Sequence, residues 1–306
     1  MNLNEWALVL FTVTVQMAVG AFLVLGFLHF YAMRKAGLEE ADRLSDRALY
    51  AIGPVVVFGI LASLLHLGNP FGAYRAILNV DSSWLSREII FTILFAGLGA
   101  LFAFMQWRKI STFSVRMIVA LITAAVGVVL VYSMAQIYML SIQPAWNVFT
   151  TPLFFFATSL LLGSLAVGSA LVANYAYVRR TTPDCEEAQC TLLRGSLRWI
   201  SLVAITLLGI NFVALPLYLA YLGAAGGASA GAVALYFYEY PVVLALRLLL
   251  AFLGAGVLAV FLYQSATTPG RENVLGVLTY SAFALVLAAE LMGRFLFYAT
   301  QVQIGV

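Results

Sequence analysis

Charged residues are scarce in this sequence: they make up 9% of its 306 residues, whereas hydrophobic residues make up 63%. An ordinary soluble domain carries roughly 25% charged residues. So few charges cannot cover the surface of a soluble protein of this size, and lipid is the solvent that suits such an exterior. The small net charge of +3 gives no reason to expect a nucleic-acid partner.

The apolar sequence divides into segments of about 20 residues or more, which is the length that a helix needs to cross the hydrocarbon of a bilayer. The strict alternation of polar and apolar residues that marks barrel strands is missing. We therefore predict an all-α integral membrane protein, a single transmembrane domain over residues 1–306. The predicted spans are eight, at 6–31, 48–68, 84–107, 116–139, 151–178, 197–222, 237–262 and 274–298. The stretch from Gly223 to Gly231 is expected to be a flexible loop or a loosely packed helix end.

The basic residues predict the orientation of this bundle. If the N-terminus lies outside, the inside loops hold 12 of the 16 Lys and Arg residues. By the positive-inside rule, both termini then lie outside, which in a bacterial inner membrane means the periplasm. These 12 residues are Arg34, Lys35, Arg43, Arg47, Arg108, Lys109, Arg116, Arg179, Arg180, Arg194, Arg198 and Arg271.

Histidine and cysteine are also rare, with two of each. A transmembrane haem b normally takes two facing histidines, but His29 falls near the inner end of the first helix and His66 near the outer end of the second. We therefore expect no haem and no metal in this protein. Cys185 and Cys190 lie in an inside loop, where a reducing compartment predicts unpaired thiols.

The region that joins the second and third predicted helices carries the most information about function. Gly68 and Pro70 form a helix stop, which puts His66 in the last turn of the second helix. Cap-type residues at 81–83 start the next helix, so Glu88 falls in its first two turns. The two side chains should face each other near the outer surface as a pair of proton acceptors. The alternative is an ordinary interfacial histidine and a helix-start charge.

Three groups of motifs, spread in order over the whole sequence, carry a resemblance to a known family. They are Ser63-Leu-Leu-His66-Leu-Gly68-x-Pro70-x-x-Ala73-x-Arg75 with Leu85-Ser86-x-Glu88-Ile89, then Pro144-Ala-Trp146 with Thr151-Pro152-Leu-Phe-Phe155, and finally Glu290-Leu-Met-Gly293-Arg294-x-x-Phe297-Tyr298. Together they resemble the membrane-anchor subunit of bacterial dimethyl sulfoxide reductases, the DmsC family.

The resemblance implies an anchor that holds an iron–sulfur electron-transfer subunit and a molybdopterin catalytic subunit at the membrane. Such an anchor draws menaquinol from the menaquinone pool, oxidises it near the periplasmic face and passes the electrons to the iron–sulfur subunit. The resemblance also implies that His66 and Glu88 take part in quinol binding and oxidation. The terminal electron acceptor stays open, because the catalytic subunit selects it.

Further residues near this pair each have two interpretations. Arg75 and Arg87 either hold the Glu88 carboxylate charged or help to dock the iron–sulfur subunit. Tyr74 and Trp84 either line the headgroup pocket for the quinol or belong to an interfacial aromatic belt.

Charges within the later helices are harder to interpret. Glu290 and Arg294 are four residues apart on one helix face, which favours a structural ion pair. Arg247 either lines the quinol pocket or bridges helices. Gly163 and Gly168 are typical of positions where helices pack closely.

Two other function classes stay open at this point. A multi-helix secondary transporter usually carries inverted repeats and polar residues at the midplane, and the sequence shows no such repeat. A haem-b cytochrome anchor is disfavoured by the small number of histidines. Co-purification with soluble subunits and an optical spectrum would separate these alternatives.

Overall fold

The computed structural model describes residues 3–65, 79–181, 187–268 and 272–302, and throughout these ranges the regular structure is helical. Eight helical segments of the described residues are long and apolar enough to cross a membrane, which confirms the predicted all-α bundle. The helices are α1 (Leu3–Ala36), α2 (Leu38–Leu65), α3 (Trp84–Arg108), α4 (Phe113–Tyr138), α5 (Thr150–Thr181), α6 (Glu187–Ala225), α7 (Gly227–Ala234), α8 (Pro241–Ala251), α9 (Ala259–Thr267) and α10 (Glu272–Ala299).

Two π-helical segments interrupt the region between α7 and α10. The first, Leu235–Glu239, follows α7, and the second, Phe252–Leu258, joins α8 and α9 into one span over Pro241–Thr267. Most of the Gly/Ala stretch is helical, as the end of α6 and the start of α7. Of the two expectations for it, the flexible loop was therefore wrong. Gly226, with φ of +70°, breaks the helix at a single residue, because glycine adopts this conformation without a steric penalty.

α2 and α6 each begin about ten residues before their predicted spans, at Leu38 and Glu187. The ten residues that extend α2 include six charged residues, and those that extend α6 include Glu187, Gln189 and Arg194. Hydropathy excludes such residues from a span, although Glu, Gln and Arg are good helix formers. Helix length is therefore set by backbone hydrogen bonding, whereas the predicted bounds marked only the apolar part.

α1 and α5 form the centre of the bundle. Their apolar stretches are 78% and 72% buried, compared with 33% or less for the other six spans. The two helices approach so closely that a Cβ added to Gly163 would lie 2.2 Å from the carbonyl carbon of Gly20. This contact confirms the prediction that Gly163 is a packing position, since only glycine leaves room for the other backbone.

We call the end of the bundle at which α3 begins and α4 ends the outer end, following the predicted orientation, and the opposite end the inner end. α6 begins at the inner end. There the sulfur of Cys190 is disulfide-bonded, so the expectation of an unpaired thiol was wrong for this residue. The prediction rested on the redox state of the compartment. Cys185 lies outside the described residues.

Candidate functional site

Glu88 is a buried carboxylate near the outer end. The side chain of Ser83 caps α3 by accepting a hydrogen bond from the Ser86 backbone, which starts the helix and puts Glu88 in its second turn. On this face of α3, Glu88 is only 6% exposed. The carboxyl group lies close enough to the Tyr138 and Tyr298 hydroxyls to interact with them electrostatically.

Arg87 and Trp84 contact each other at the start of α3. The Arg87 guanidinium donates to the carbonyls of Val80 and Asp81, at 2.8 and 2.9 Å, and lies 4.2 Å from the centre of the Trp84 ring. These contacts hold the loop before α3 against its first turn. Among the described residues, no contact joins Arg87 to the Glu88 carboxylate.

The structure does not describe the second residue of the predicted pair or two of the residues predicted beside it. His66, Tyr74 and Arg75 lie outside the described residues. Their assignment to a quinol site stays a prediction.

Two tyrosine hydroxyls meet beside Glu88. Tyr138, at the end of α4, and Tyr298, near the end of α10, lie 2.8 Å apart, oxygen to oxygen, and both side chains are buried. Trp146 stacks on Phe297 at 5.1 Å and donates from Nε1 to the Phe297 carbonyl at 2.9 Å. These contacts tie the loop between α4 and α5 to the end of α10.

Glu290 and Arg294 do not form the predicted ion pair. Each binds a residue on another helix: the Thr158 hydroxyl donates to Glu290 Oε2 at 2.6 Å, and Arg294 donates to Gln16 Oε1 at 2.8 Å. In the described part of the protein, no carboxylate oxygen lies within 4.0 Å of the Arg294 nitrogens. The guanidinium instead lies 3.8 Å from the centre of the Phe155 ring. Interhelical partners replaced the local pair because both side chains point into the bundle.

Arg247 extends towards Glu290 and Arg294 from α8. Its guanidinium packs over Gly293, where an added Cβ would lie 2.6 Å from Arg247 Nε. Beneath it is a small cavity of about 40 Å³, which α5, α6, α8 and α10 enclose. Its polar lining consists of Thr151, Thr158, Tyr218, Tyr236, Arg247, Glu290 and Arg294.

The structure therefore places polar residues that sequence reasoning had missed or interpreted differently near Glu88, or in contact with Glu290 and Arg294. Tyr138, Thr158 and Gln16 were missed, because a tyrosine, a threonine or a glutamine in an apolar helix gives no distinctive signal. Tyr298 belongs to the last motif that resembles the anchor family, and this resemblance was the sequence feature that could have identified it as a candidate site residue. Among the described residues, no group of three or more His, Cys, Asp or Glu side chains is arranged to hold a metal ion.

Comparison with known proteins agrees with this architecture. Residues 1–300 match the family described as DMSO reductase anchor subunit (DmsC). The sequence is 28% identical to the C subunit of anaerobic dimethyl sulfoxide reductase from Escherichia coli (strain K12), over 99% of this protein and 96% of that one. It is 33% identical to the corresponding C subunit from Haemophilus influenzae, over 56% of this protein and 60% of that one.

A second E. coli protein, the anaerobic dimethyl sulfoxide reductase subunit YnfH, is 32% identical over 56% of this protein and 58% of its own length. The matches and the eight spans indicate a multi-pass protein of the bacterial inner membrane. The match over nearly the whole sequence shows that this protein belongs to the family of DMSO reductase anchor subunits, DmsC.

Proposed function

We propose that this protein is the quinol-oxidising anchor of a complex like dimethyl sulfoxide reductase. It binds menaquinol near the periplasmic face and passes its electrons to an iron–sulfur subunit. That subunit supplies a molybdopterin catalytic subunit, so the iron–sulfur clusters and the molybdenum cofactor belong to the partners. The lipid bilayer holds the anchor and delivers the quinol.

The observation that carries this proposal is the position of Glu88 beside the paired hydroxyls of Tyr138 and Tyr298. Ionisable groups inside a membrane protein are costly to bury, and they usually mark a pathway for ions, protons or substrate. Among the described residues, the Glu88 carboxyl oxygens have no hydrogen-bond partner, although the side chain is only 6% exposed. A carboxylate in this situation is available to a substrate hydroxyl.

Oxidation of a quinol breaks two O–H bonds and releases two protons and two electrons, which leaves the quinone. In the proposed reaction, His66 accepts the proton of one hydroxyl, because a histidine titrates near neutral pH. Glu88 accepts the other proton and passes it outward. Both electrons leave for the iron–sulfur subunit of the complex.

Arg294 and Arg247 give this end of the bundle its fixed positive charge. Arg294 is held by the Gln16 amide and by the face of Phe155, so its guanidinium keeps one orientation. A fixed cation nearby stabilises negative charge that develops on a quinol oxygen as its proton departs. Arg247 lines the cavity next to it and is proposed as a second binding residue.

Arg87 and Trp84 lie at the start of α3, next to the loop that precedes this helix. Arg87 and Trp84 stabilise the loop that follows residue 78, and we propose that this loop closes the headgroup site from outside. Tyr74 and Arg75 are proposed as further quinol-binding residues.

The experiment that tests the proposal replaces Glu88 with Gln in the whole complex. Loss of a positioned proton acceptor should lower menaquinol-dependent turnover on the order of a hundred-fold. A reduced dye that donates directly to the soluble subunits should still support full activity. Glu239→Gln is the matched control, because Glu239 is an exposed carboxylate at the same end of the bundle.

His66→Ala should give the same pattern as Glu88→Gln: normal assembly, normal activity with the dye and little activity with quinol. Normal quinol oxidation by the assembled Glu88→Gln complex would remove Glu88 from the mechanism. Loss of activity with both the dye and the quinol would show that the variant damages assembly instead.

A further inference from the structure

A second polar cluster lies at the inner end of the bundle, where the proposed quinol site does not reach. Asp42 and Asp46 of α2 accept hydrogen bonds from the Gln106 amide of α3, at 2.8 and 2.9 Å. Lys109 contacts the same two carboxylates, at 2.7 and 3.0 Å. Both carboxylates therefore have a cationic and a neutral donor.

Arg116 lies at the same level on α4, but in the described residues no side chain of opposite charge pairs with it. Its side chain is buried, with 7% exposed, and its only hydrogen bond among the described residues runs from one terminal nitrogen to the Ser111 carbonyl, at 3.1 Å. Its Nε has no partner. In the ranges that the structure describes, no carboxylate oxygen lies within 4.0 Å of the guanidinium. Burial of a charged donor without an acceptor costs free energy, so we expect a ligand atom to accept a hydrogen bond from Arg116.

Arg116 lines one end of a cavity of about 450 Å³ between α1, α2, α3 and α4. This volume lies within the range of roughly 300–1,000 Å³ that is typical of ligand sites. His29, Ser45, Asp46 and Gln106 complete the polar end, and apolar side chains line the rest. The cavity follows α4 from Arg116 to Ala124, about 12 Å at the rise of an α-helix. It admits the acyl tail of an amphiphile that lies along the membrane normal.

The wall of the cavity opens towards lipid. Phe27, Phe30 and Leu121 line it and are 48–61% exposed on the apolar surface of the bundle. A molecule from the bilayer can therefore enter sideways between α1 and α4, with its polar group at the level of the inner interface.

The charges at this mouth favour an anion. α4 begins at Phe113, which also lines the cavity, so the N-terminal end of this helix contributes partial positive charge there. The Arg34 guanidinium lies 5.0 Å from the centre of the Phe30 ring and adds a cation beside this lining residue. Basic pockets between transmembrane helices on the cytoplasmic side are suited to anionic lipid headgroups.

We propose that this cavity binds one anionic phospholipid of the inner leaflet. The lipid phosphate accepts a hydrogen bond from Arg116 Nε, and one acyl tail fills the apolar part between α1 and α4. The site is independent of the proposed quinol chemistry. Its occupancy joins the α3–α4 pair to the central helix α1 and thereby stabilises the inner end of the anchor.

The test uses the whole complex, purified in detergent and stripped of lipid. It is incubated with phosphatidylglycerol or with phosphatidylcholine of the same acyl composition, and the retained lipid is counted by native mass spectrometry. We expect one phosphatidylglycerol per anchor and a clear preference over phosphatidylcholine. Arg116→Gln should lower phosphatidylglycerol affinity about ten-fold, the usual effect of losing a hydrogen bond to a charged group. Arg108→Gln is the matched control, because Arg108 is an exposed arginine at the same level that does not line the cavity.

A second variant, Ala120→Trp, fills the apolar part of the cavity and leaves Arg116 in place. This variant should abolish phosphatidylglycerol binding. It tests the proposal independently if Arg116→Gln fails to fold. The proposal is overturned if phosphatidylglycerol binds equally to wild type and Arg116→Gln, or remains bound in Ala120→Trp. Equal retention of both lipids would also overturn it. Stoichiometric menaquinone that is lost in both variants would show that the cavity holds a quinone instead.

Discussion

The hydroxyl oxygens of Tyr138 and Tyr298 lie 2.8 Å apart, although the two residues are 160 positions apart in the sequence. This hydrogen bond joins the outer ends of α4 and α10, and the Glu88 carboxyl group of α3 interacts electrostatically with both hydroxyls. The neighbouring helices α3 and α4 and the distant helix α10 thus contribute to one buried polar group. In the proposed function, the hydroxyl pair borders the site from which the quinol protons leave.

Replacing Tyr298 with Phe tests the role of this hydroxyl pair. The change leaves the Tyr138 hydroxyl without its buried partner, which should destabilise the protein by about 1 kcal/mol. If the pair orients the quinol or Glu88, quinol-dependent turnover should also fall by about five-fold, whereas turnover with the reduced dye should not change. Tyr132→Phe is the control, because Tyr132 is 44% exposed. Unchanged quinol turnover in Tyr298→Phe would assign the pair a purely structural role.

Gly293→Ala is expected to move Arg247 without removing it. The added methyl group would lie 2.6 Å from Arg247 Nε, so the guanidinium must leave the cavity that it lines. We expect KM for the quinol to rise about three-fold or more, with assembly unaffected, because displacing a flexible side chain costs less than overpacking a rigid core. Gly209→Ala is a matched helical glycine with open space around it. An unchanged KM would exclude Arg247 from quinol binding.

Gly163→Ala should affect stability. The new methyl group would lie within 2.6 Å of the backbone of Gly20 and Ala21, which cannot move aside as a side chain can. The loss of stability should therefore reach or exceed the roughly 1–3 kcal/mol of typical overpacking. A lower melting temperature of the purified complex is the expected result. Gly97→Ala, where nothing lies within 4 Å, should leave the melting temperature the same or slightly higher. Equal melting temperatures for the two variants would contradict the close α1–α5 contact.

The sequence was sufficient to predict the eight spans, because hydrocarbon thickness sets a minimum length for the apolar part of every membrane-crossing helix. Cap residues also located the start of α3, and with it the position of Glu88 in its first two turns. The sequence did not predict the hydrogen-bond partner of a side chain that can reach both a residue on its own helix and a residue on another helix. Glu290 and Arg294 have ideal spacing for a pair on one helix, yet each binds a different helix. The partner depends on which residues of α1 and α5 face α10, and no pattern in a single sequence indicates these contacts.

The arrangement of ionisable residues leads to a prediction about energy coupling. Glu88, Arg247, Glu290 and Arg294 lie in the outer half of the bundle, whereas His29, Asp42 and Asp46 lie at the inner end. On α1, the separation from Gln16 to His29 is 13 residues, or about 20 Å. Between these two layers, the described helices carry no Asp, Glu, Lys, Arg or His side chain.

A path for protons across the membrane needs a series of protonatable groups or water, and the middle layer of the described residues offers no ionisable member of such a series. Buried hydroxyls at this depth, such as those of Thr123 and Thr279, donate to carbonyls of their own helices. We therefore expect both quinol protons to leave on the side to which the electrons go, so that no net charge crosses the bilayer. In sealed proteoliposomes, turnover should produce no membrane potential that a voltage-sensitive dye detects, while a parallel electrogenic oxidase gives a full response. A potential that an uncoupler abolishes would show that the predicted orientation is inverted or that protons cross through water in the bundle. Labelling of single cysteines introduced at the two ends would then distinguish these two explanations.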